Sequence, residues 1–102
     1  MDMKQMMRQA QKMQAELAKA QDEIKDMTAE ATAGGGMVTV VATGNNEIQS
    51  IKIDPAAVDP EDVEMLEDMV LAAANEALRA VAAKGTARLN SVTGGMNIPG
   101  LM

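Results

Sequence analysis

The sequence contains no cysteine and no histidine among its 102 residues. Without thiols the chain has neither disulfides nor thiolate metal ligands, and without imidazole the common zinc sites and nucleophile–base pairs are excluded. The length is sufficient for one domain with one modest core, spanning residues 1–102. We therefore expect a protein that is not an enzyme, holds no metal or cofactor and acts on no small-molecule substrate.

Phe, Tyr and Trp are also absent. The core must come from Met, Ile, Leu, Val and Ala, and binding of single-stranded nucleic acid by aromatic stacking is excluded. No stretch approaches the roughly 20 apolar residues of a membrane span, and the N-terminal region lacks the apolar run of a secretory signal. We expect a cytoplasmic protein without membrane contact.

The net charge of −6 excludes a chain that is basic overall, so any nucleic-acid contact must come from a local patch. Cations are concentrated in the first 20 residues and carboxylates in residues 54–68. The acids of residues 59–68 lie on adjacent turns without partner ligands or a base. We interpret them as helix-capping and solubilising residues, not as a magnesium site or a carboxylate pair for catalysis.

The first 27 residues have the period of a helix with a continuous apolar seam. The seam comprises Met3, Met6, Ala10, Met13, Leu17, Ala20, Ile24 and Met27. Four cations fall within an arc of about 80° on the opposite side: Lys4, Arg8, Lys12 and Lys19. This predicts a helix over residues 2–27 whose basic face is either an ordinary solvated surface or a phosphate-binding surface.

The seam also predicts a homodimer. A helix of this length extends about 38 Å, whereas the predicted strands span only about 20 Å, so one sheet cannot cover the seam. A second copy of the same helix is the simplest cover, because a heptad seam is self-complementary. We expect the interface to contain Met6, Met13, Leu17 and Ile24; a peptide-binding surface is the alternative for a Met-rich seam.

Three short strands are predicted over residues 28–33, 37–43 and 47–53. The glycine run at 34–36 is interpreted as a hairpin turn, because no Gly-Lys-Ser pattern or helix follows it. Asn45 and Asn46 are interpreted as a two-residue turn. The resulting register places Val38, Val40, Ala42, Ile51 and Ile53 on one face, with Gln49 as its only polar residue. We expect the sheet to bury that side fully.

A second helix is predicted over residues 60–84, with Asp59 as N-cap, Pro60 in the first helical position and Gly85 as the stop. Residues 86–92 are compatible with a further short helical segment. The tail, residues 94–102, is interpreted either as a partner-binding peptide or as a packing strap. The predicted fold class is α+β: a long N-terminal helix, a small three-stranded antiparallel sheet and a C-terminal helix.

Several motifs in one order resemble the YbaB/EbfC family of bacterial nucleoid-associated proteins, over nearly the whole chain. The motifs are KQMMRQAQKM at residues 4–13, AGGGMV at 33–38, IKIDP at 51–55, VDPED at 58–62, MLED at 65–68 and GGMNIPG at 94–100. Together they are far more specific than any one of them alone.

The resemblance implies a tweezers-like homodimer in the nucleoid that binds duplex DNA with low sequence specificity and serves nucleoid organisation or gene regulation. It supports Lys4, Arg8, Lys12 and Lys19 as phosphate contacts and adds Arg88 near the far end of the second helix. The alternative function is a protein-interaction adaptor for recombination, repair or replication proteins with little DNA binding of its own. The negative net charge and the Met-rich surface favour that alternative.

Overall fold

A computed structural model describes residues 2–94 and confirms the α+β arrangement of two long helices and one small sheet. In chain order the elements are α1 (Met3–Lys25), β1 (Thr28–Ala33), β2 (Val38–Thr43), β3 (Ile48–Ile53) and α2 (Val63–Val92), with a 3-10 turn at Pro55–Ala57. The strands are antiparallel in the order β1, β2, β3, so β1 and β3 are the sheet edges. Beyond Gly94, the predicted tail lies outside the described residues.

Helix α1 begins and ends at local hydrogen bonds. The Asp2 carboxylate accepts a bond from the Lys4 backbone N–H at 3.2 Å, which satisfies one of the free donors of the first turn. At the other end the Asp26 N–H donates to the Glu23 carbonyl oxygen at 3.2 Å. The chain then enters the sheet at once, because the Met27 carbonyl oxygen accepts a bond from the Gly44 N–H at 2.9 Å. These contacts fix the base of α1 to the β2–β3 hairpin.

The hairpin between β1 and β2 depends on its three glycines. Gly34, Gly35 and Gly36 have φ angles of 64°, 68° and 93°, a region that residues with a Cβ rarely adopt. The turn sets a register in which Ala33 lies opposite Val38. The interpretation of the glycine run as a hairpin turn is confirmed.

The turn between β2 and β3 differs from the prediction. Thr43 donates its N–H to the Glu47 carbonyl oxygen at 2.8 Å, so the loop contains three residues, 44–46, and not two. Only its last residue, Asn46, has a positive φ, of 61°. A three-residue loop that ends in a left-handed residue is commonly followed by a bulge.

The bulge changes the register at one end of β3. Pairing follows the prediction up to Val41 opposite Ser50, and then shifts so that Ala42 lies opposite Ile48. Gln49, which was predicted to pair with Ala42, is the extra residue. The prediction that Gln49 lies opposite Ala42 on the apolar face was therefore wrong, because the longer loop places Ile48 there instead.

Helix α2 begins three residues later than predicted. Its N-cap is Asp62, whose carboxylate accepts a bond from the Met65 N–H at 3.3 Å. The predicted cap, Asp59, instead binds the Glu61 N–H at 2.9 Å in the preceding turn, which also contains Pro60. Two Asp-based turns in succession explain the error, because each has the sequence pattern of a helix cap.

Helix α2 also continues past its predicted stop. Gly85 is buried within the helix, and residues 86–92 belong to the same helix and not to a separate segment. A Cβ at Gly85 would lie 3.2 Å from Ile24 Cγ2, closer than ordinary contact. The missing side chain thus allows α1 to approach α2, and packing offsets the roughly 1 kcal/mol that glycine costs within a helix.

The core is built from alanine and valine and lies between the sheet and α2. Its members, all at most 9% exposed, are Ala29, Ala31, Val38, Val40, Ala42, Ala73, Ala77 and Val81. Helix α2 covers β1 and β2 but leaves β3 open: Ile48, Ile51 and Ile53 are 39%, 47% and 39% exposed. The expectation that one side of the sheet is fully buried was wrong, because α2 is too narrow to cover a third strand.

Candidate nucleic-acid interface

The four predicted cations of α1 are all exposed on one face of the helix. Within residues 2–94, neither Lys4, Arg8, Lys12 nor Lys19 lies within 4.0 Å of a carboxylate. Other cations of the chain do: Lys25 pairs with Asp22, and Arg79 pairs with Glu76. The predicted face thus keeps its charges available for an external anion.

Helices α1 and α2 run antiparallel, and α2 lies alongside the second half of α1. The cationic face of α1 therefore has an inner part beside α2 and an outer part beyond the end of α2. Ile24 lies beside Gly85, and further along Glu16 and Lys19 line a groove together with the last turn of α2. The first ten or so residues of α1 extend past the end of α2. Lys4, Arg8 and Lys12 belong to this projecting part, which we call the outer face, at intervals of about 6 Å along the axis.

The inner part contains acids as well as cations. The Glu23 carboxylate accepts a hydrogen bond from Arg88 Nε at 2.7 Å, and Arg88 also donates to Ser91 Oγ at 2.9 Å. The hydrogen bond from Arg88 is the main cause that lowers the pKa of Glu23 below its ordinary value of 4.5, and the positive charges of Arg88 and Lys19 act in the same direction. In this structure Arg88 links α2 to α1 and lies apart from the outer face.

Two glutamines were missed by the sequence reasoning. Gln5 and Gln9 line one shallow groove on the α1 surface together with Arg8 and Lys12. Their amide groups donate hydrogen bonds that phosphate oxygens accept. The signal was the i, i+4 spacing of Gln5 and Gln9 beside Arg8 and Lys12, which was not used because glutamine carries no charge.

The predicted dimer-interface residues lie in different surroundings. Met6 is 54% exposed, Met13 and Leu17 are half-buried, and Ile24 is half-buried against Gly85 of its own chain. The outer end of the seam is open, with Met3 76% exposed, and Met7 beside the seam is 60% exposed. The seam is therefore partly covered by its own chain from Met13 onward, and it is exposed at Met3 and Met6.

A second apolar surface was not foreseen by the sequence reasoning. It lies where the open face of β3 meets the start of α2, and we call it the β3–α2 surface. A groove on it is lined by Ile53, Leu66, Glu67, Val70, Leu71 and Ala74. Leu71 is 61% exposed, and within residues 2–94 no further strand pairs with the outer edge of β3. An apolar surface beside an unpaired strand is typical of an interface with another chain.

Neither α1 nor α2 is long and apolar enough to span a bilayer. Within residues 2–94 no three acidic side chains are grouped as a metal ion would require.

Comparison with known proteins gives a consistent result. The model of the YbaB/EbfC DNA-binding family matches residues 1–96. A nucleoid-associated protein of Acetivibrio thermocellus is 55% identical over 97 residues, which cover 94% of this chain and 86% of that relative. One from Pelotomaculum thermopropionicum is 53% identical over 100 residues, covering 98% and 95%.

A solved structure shares the fold. The crystal structure of an uncharacterized protein from Helicobacter pylori superimposes with a TM-score of 0.73 at 26% sequence identity. The match covers 92% of this chain and 99% of that one. The order of helices and strands is therefore retained at low sequence identity.

Proposed function

Since the chain belongs to the YbaB/EbfC DNA-binding family, we propose that it binds duplex DNA as a homodimer with low sequence specificity, in the nucleoid, and serves nucleoid organisation or gene regulation. The observation that carries the proposal is the outer face of α1. Three cations project there beyond the end of α2, and within residues 2–94 none is paired with a carboxylate.

The negative net charge does not oppose this proposal. At physiological salt the Debye length is about 8 Å, so charges farther away are largely screened. The acidic residues 59–68 precede or begin α2, whereas the outer face lies past its other end, about 45 Å along the helix axis. A local cationic surface therefore attracts phosphates despite the net charge of −6.

Low specificity follows from the kind of contact. Lys4, Arg8 and Lys12 bind phosphates, which position a protein on DNA but carry no base sequence. Direct readout needs side chains inserted into a groove to meet base edges. The outer face consists of cations and glutamines spread along an exposed helix, which suits the backbone of any duplex.

The homodimer is supported by the β3–α2 surface more than by the α1 seam. Three isoleucines and Leu71 are 39–61% exposed there, and the free edge of β3 offers unpaired backbone groups. A second copy covers the apolar side chains and the edge of β3 together. In a two-fold interface each copy contributes the same surface, so the β3 of the second copy is covered in the same way. Such a dimer presents two α1 arms and six outer cations.

The adaptor remains the second candidate, favoured by one observation. Met3, Met6 and Met7 are exposed at the end of α1, and methionine adapts to irregular apolar partners. On this alternative the arms bind recombination, repair or replication proteins, and the cations only keep the arms soluble.

Fluorescence anisotropy with labelled duplex DNA at about 50 and 200 mM salt separates the two candidates. Six phosphate contacts per dimer predict a log–log salt slope near −5, since each contributes about −0.9. Micromolar affinity with such a slope supports the DNA-binding proposal. The absence of binding at the lower salt concentration contradicts it and favours the adaptor.

A further inference from the structure

The outer end of α1 carries an apolar strip that is exposed to solvent. It comprises Met3, Met6, Ala10 and Met13, and we call it the outer strip. Met3 and Met6 are 76% and 54% exposed, although the same seam is buried at Ala20, where α1 meets α2. An apolar stripe that continues past the helix covering it is typical of a surface that contacts another chain.

The charges of this part of α1 lie away from the outer strip. Within residues 3–14 the charged side chains are Lys4, Arg8 and Lys12, at about 130–170° around the helix from the middle of the strip. The borders of the strip are formed by the uncharged residues Gln9, Gln11 and Gln14. A charged partner finds no opposite charge beside the strip, whereas a second α1 approaches without repulsion between like charges. The charge pattern therefore favours a second copy of this chain as the occupant.

The outer strip is also complementary to itself in size. Its spacing of 3, 4 and 3 residues is that of a seam whose side chains interlock with those of a second helix. In an antiparallel pair with a two-fold axis level with residue 8, Met6 lies opposite Ala10 of the second copy, and Ala10 lies opposite Met6. A long side chain then fills the space that alanine leaves. A parallel pair would place Met6 against Met6 and leave a gap at Ala10.

The outer strip is too small to hold two molecules together by itself. It offers four side chains, compared with roughly 20–30 residues a side in a stable interface. Such a contact forms when both molecules are already held at a high local concentration, as they are on DNA. The cations lie on the opposite side of each helix, so a pair of arms presents them in opposite directions, about 20 Å apart. This arrangement suits two duplexes, one on each side.

We propose that the arms of two dimers pair antiparallel through their outer strips and thereby bridge two DNA duplexes. The inference rests on the proposed binding of DNA by the outer face, and it adds a contact between dimers to the contact within each dimer. The competing occupants of the outer strip are the other arm of the same dimer and an unrelated protein.

A bead assay with purified protein tests the proposal. One duplex is fixed to beads, a fluorescent duplex is added in solution, and the fluorescence that the protein retains on the beads measures bridging. Met6→Gln makes the strip polar without adding charge and should lower the retained fluorescence at least about fivefold. The matched control is Met7→Gln, the same change at an exposed residue beside the strip, and it should keep most of the bridging. In both variants the affinity for a single duplex, measured by anisotropy, should stay within about twofold of the wild type, because the cations are unchanged.

An exchange of the two central residues tests the antiparallel register. Ala10→Met alone places methionine opposite methionine and should lower bridging at least about fivefold. Met6→Ala/Ala10→Met again places a long side chain opposite a short one and should restore bridging to within about twofold of the wild type. Failure of the double variant to recover would overturn the proposal.

The remaining outcomes separate the proposal from the function on which it rests. Wild-type protein that binds a single duplex but retains no second duplex would overturn the arm pairing alone, and so would equal bridging by Met6→Gln and the wild type. Wild-type protein that binds no duplex would overturn the arm pairing and the proposed function together. A Met6→Gln variant that is monomeric in light scattering without DNA would also overturn the proposal, in favour of pairing between the arms of one dimer.

Discussion

Arg8 and Lys12 occupy successive turns of α1, and both line the groove that also contains Gln5 and Gln9. Their reversal in an Arg8→Glu/Lys12→Glu variant should lower duplex DNA affinity by at least about tenfold at 50 mM salt and flatten the salt slope. The reason is the loss of two phosphate contacts per arm together with new repulsion. Anisotropy with the same labelled duplex measures both effects.

The matched control is Lys25→Glu/Arg79→Glu, which changes the net charge by the same amount. Lys25 and Arg79 are exposed, and each forms an ion pair with an acidic residue three positions earlier in its own helix. Both lie away from the outer face. This variant should keep most of the DNA affinity. An equal loss in both variants would mean that net charge, and not the outer face, determines binding.

Gly44 has a structural role that is unrelated to DNA. A Cβ at this position would collide with the Ile24 carbonyl oxygen, at the point where α1 joins the sheet. Backbone cannot move aside as a side chain does, so Gly44→Ala should lower the free energy of unfolding by about 1–3 kcal/mol. Far-UV circular dichroism is the suitable measurement, because the chain lacks aromatic fluorescence. Wild-type stability in the variant would contradict the close approach.

At the scale of elements, the Glu23–Arg88 ion pair connects α1 to α2. Because the pKa of Glu23 is lowered in the folded protein, the contribution of the pair is fully present above the ordinary value of 4.5 and is lost as pH falls through the lowered value. The wild type should therefore have a higher Tm than Glu23→Gln at pH 7, and the difference should shrink below pH 4.5. Thermal unfolding across this pH range measures it.

Glu30→Gln provides the comparison for that pH series. Glu30 is exposed on β1, and within residues 2–94 it forms no ion pair. Its Tm difference from the wild type should stay small throughout the pH range. A pH-dependent difference of the same size in both variants would show that the helix–helix ion pair is not its source.

The elements that the sequence predicted well are those specified by local chemistry. The α1 seam follows from a 4-3 spacing, and the first hairpin follows from three adjacent glycines. The end of α2 depends on a distant residue instead: Gly85 has the local signature of a stop, but Ile24 packs against it from α1. The shift at Gln49 likewise required the loop length, which two adjacent asparagines did not determine.

The candidate site was predictable to a similar extent. Helical geometry placed Lys4, Arg8, Lys12 and Lys19 on one face, and the structure keeps them there. Periodicity did not reveal that Arg88 is hydrogen-bonded to Glu23, because that contact joins two helices far apart in the chain. The exposed isoleucines of β3 were missed for a related reason: alternation identifies the apolar face of a strand but not whether anything covers it.

At the scale of the whole molecule, the proposed dimer can be tested by placing a charge on each apolar surface. Leu71→Asp introduces a carboxylate into the β3–α2 surface and should convert the dimer to a monomer, because an unpaired buried charge is strongly unfavourable. Light scattering with refractive-index detection gives the mass without aromatic absorbance. A Leu71→Asp variant that stays dimeric would remove this surface from the interface.

Leu17→Asp tests the interface that the sequence predicted. If the α1 seam forms the dimer, Leu17→Asp should yield a monomer while Leu71→Asp remains dimeric. We expect the reverse, since Leu17 is half-buried in the single chain and Leu71 is 61% exposed. Circular dichroism of both variants establishes that each remains folded.

The alanine and valine core limits how this protein can change over time. Ala73 and Ala77 face the sheet with no exposed area, so the helix rests on the strands at a spacing set by methyl groups. Almost every substitution there adds volume, and added volume in a filled interior forces the layers apart. Few substitutions are therefore tolerated at these positions. Larger side chains do not fit, and alanine has only one methyl group that a smaller residue could remove.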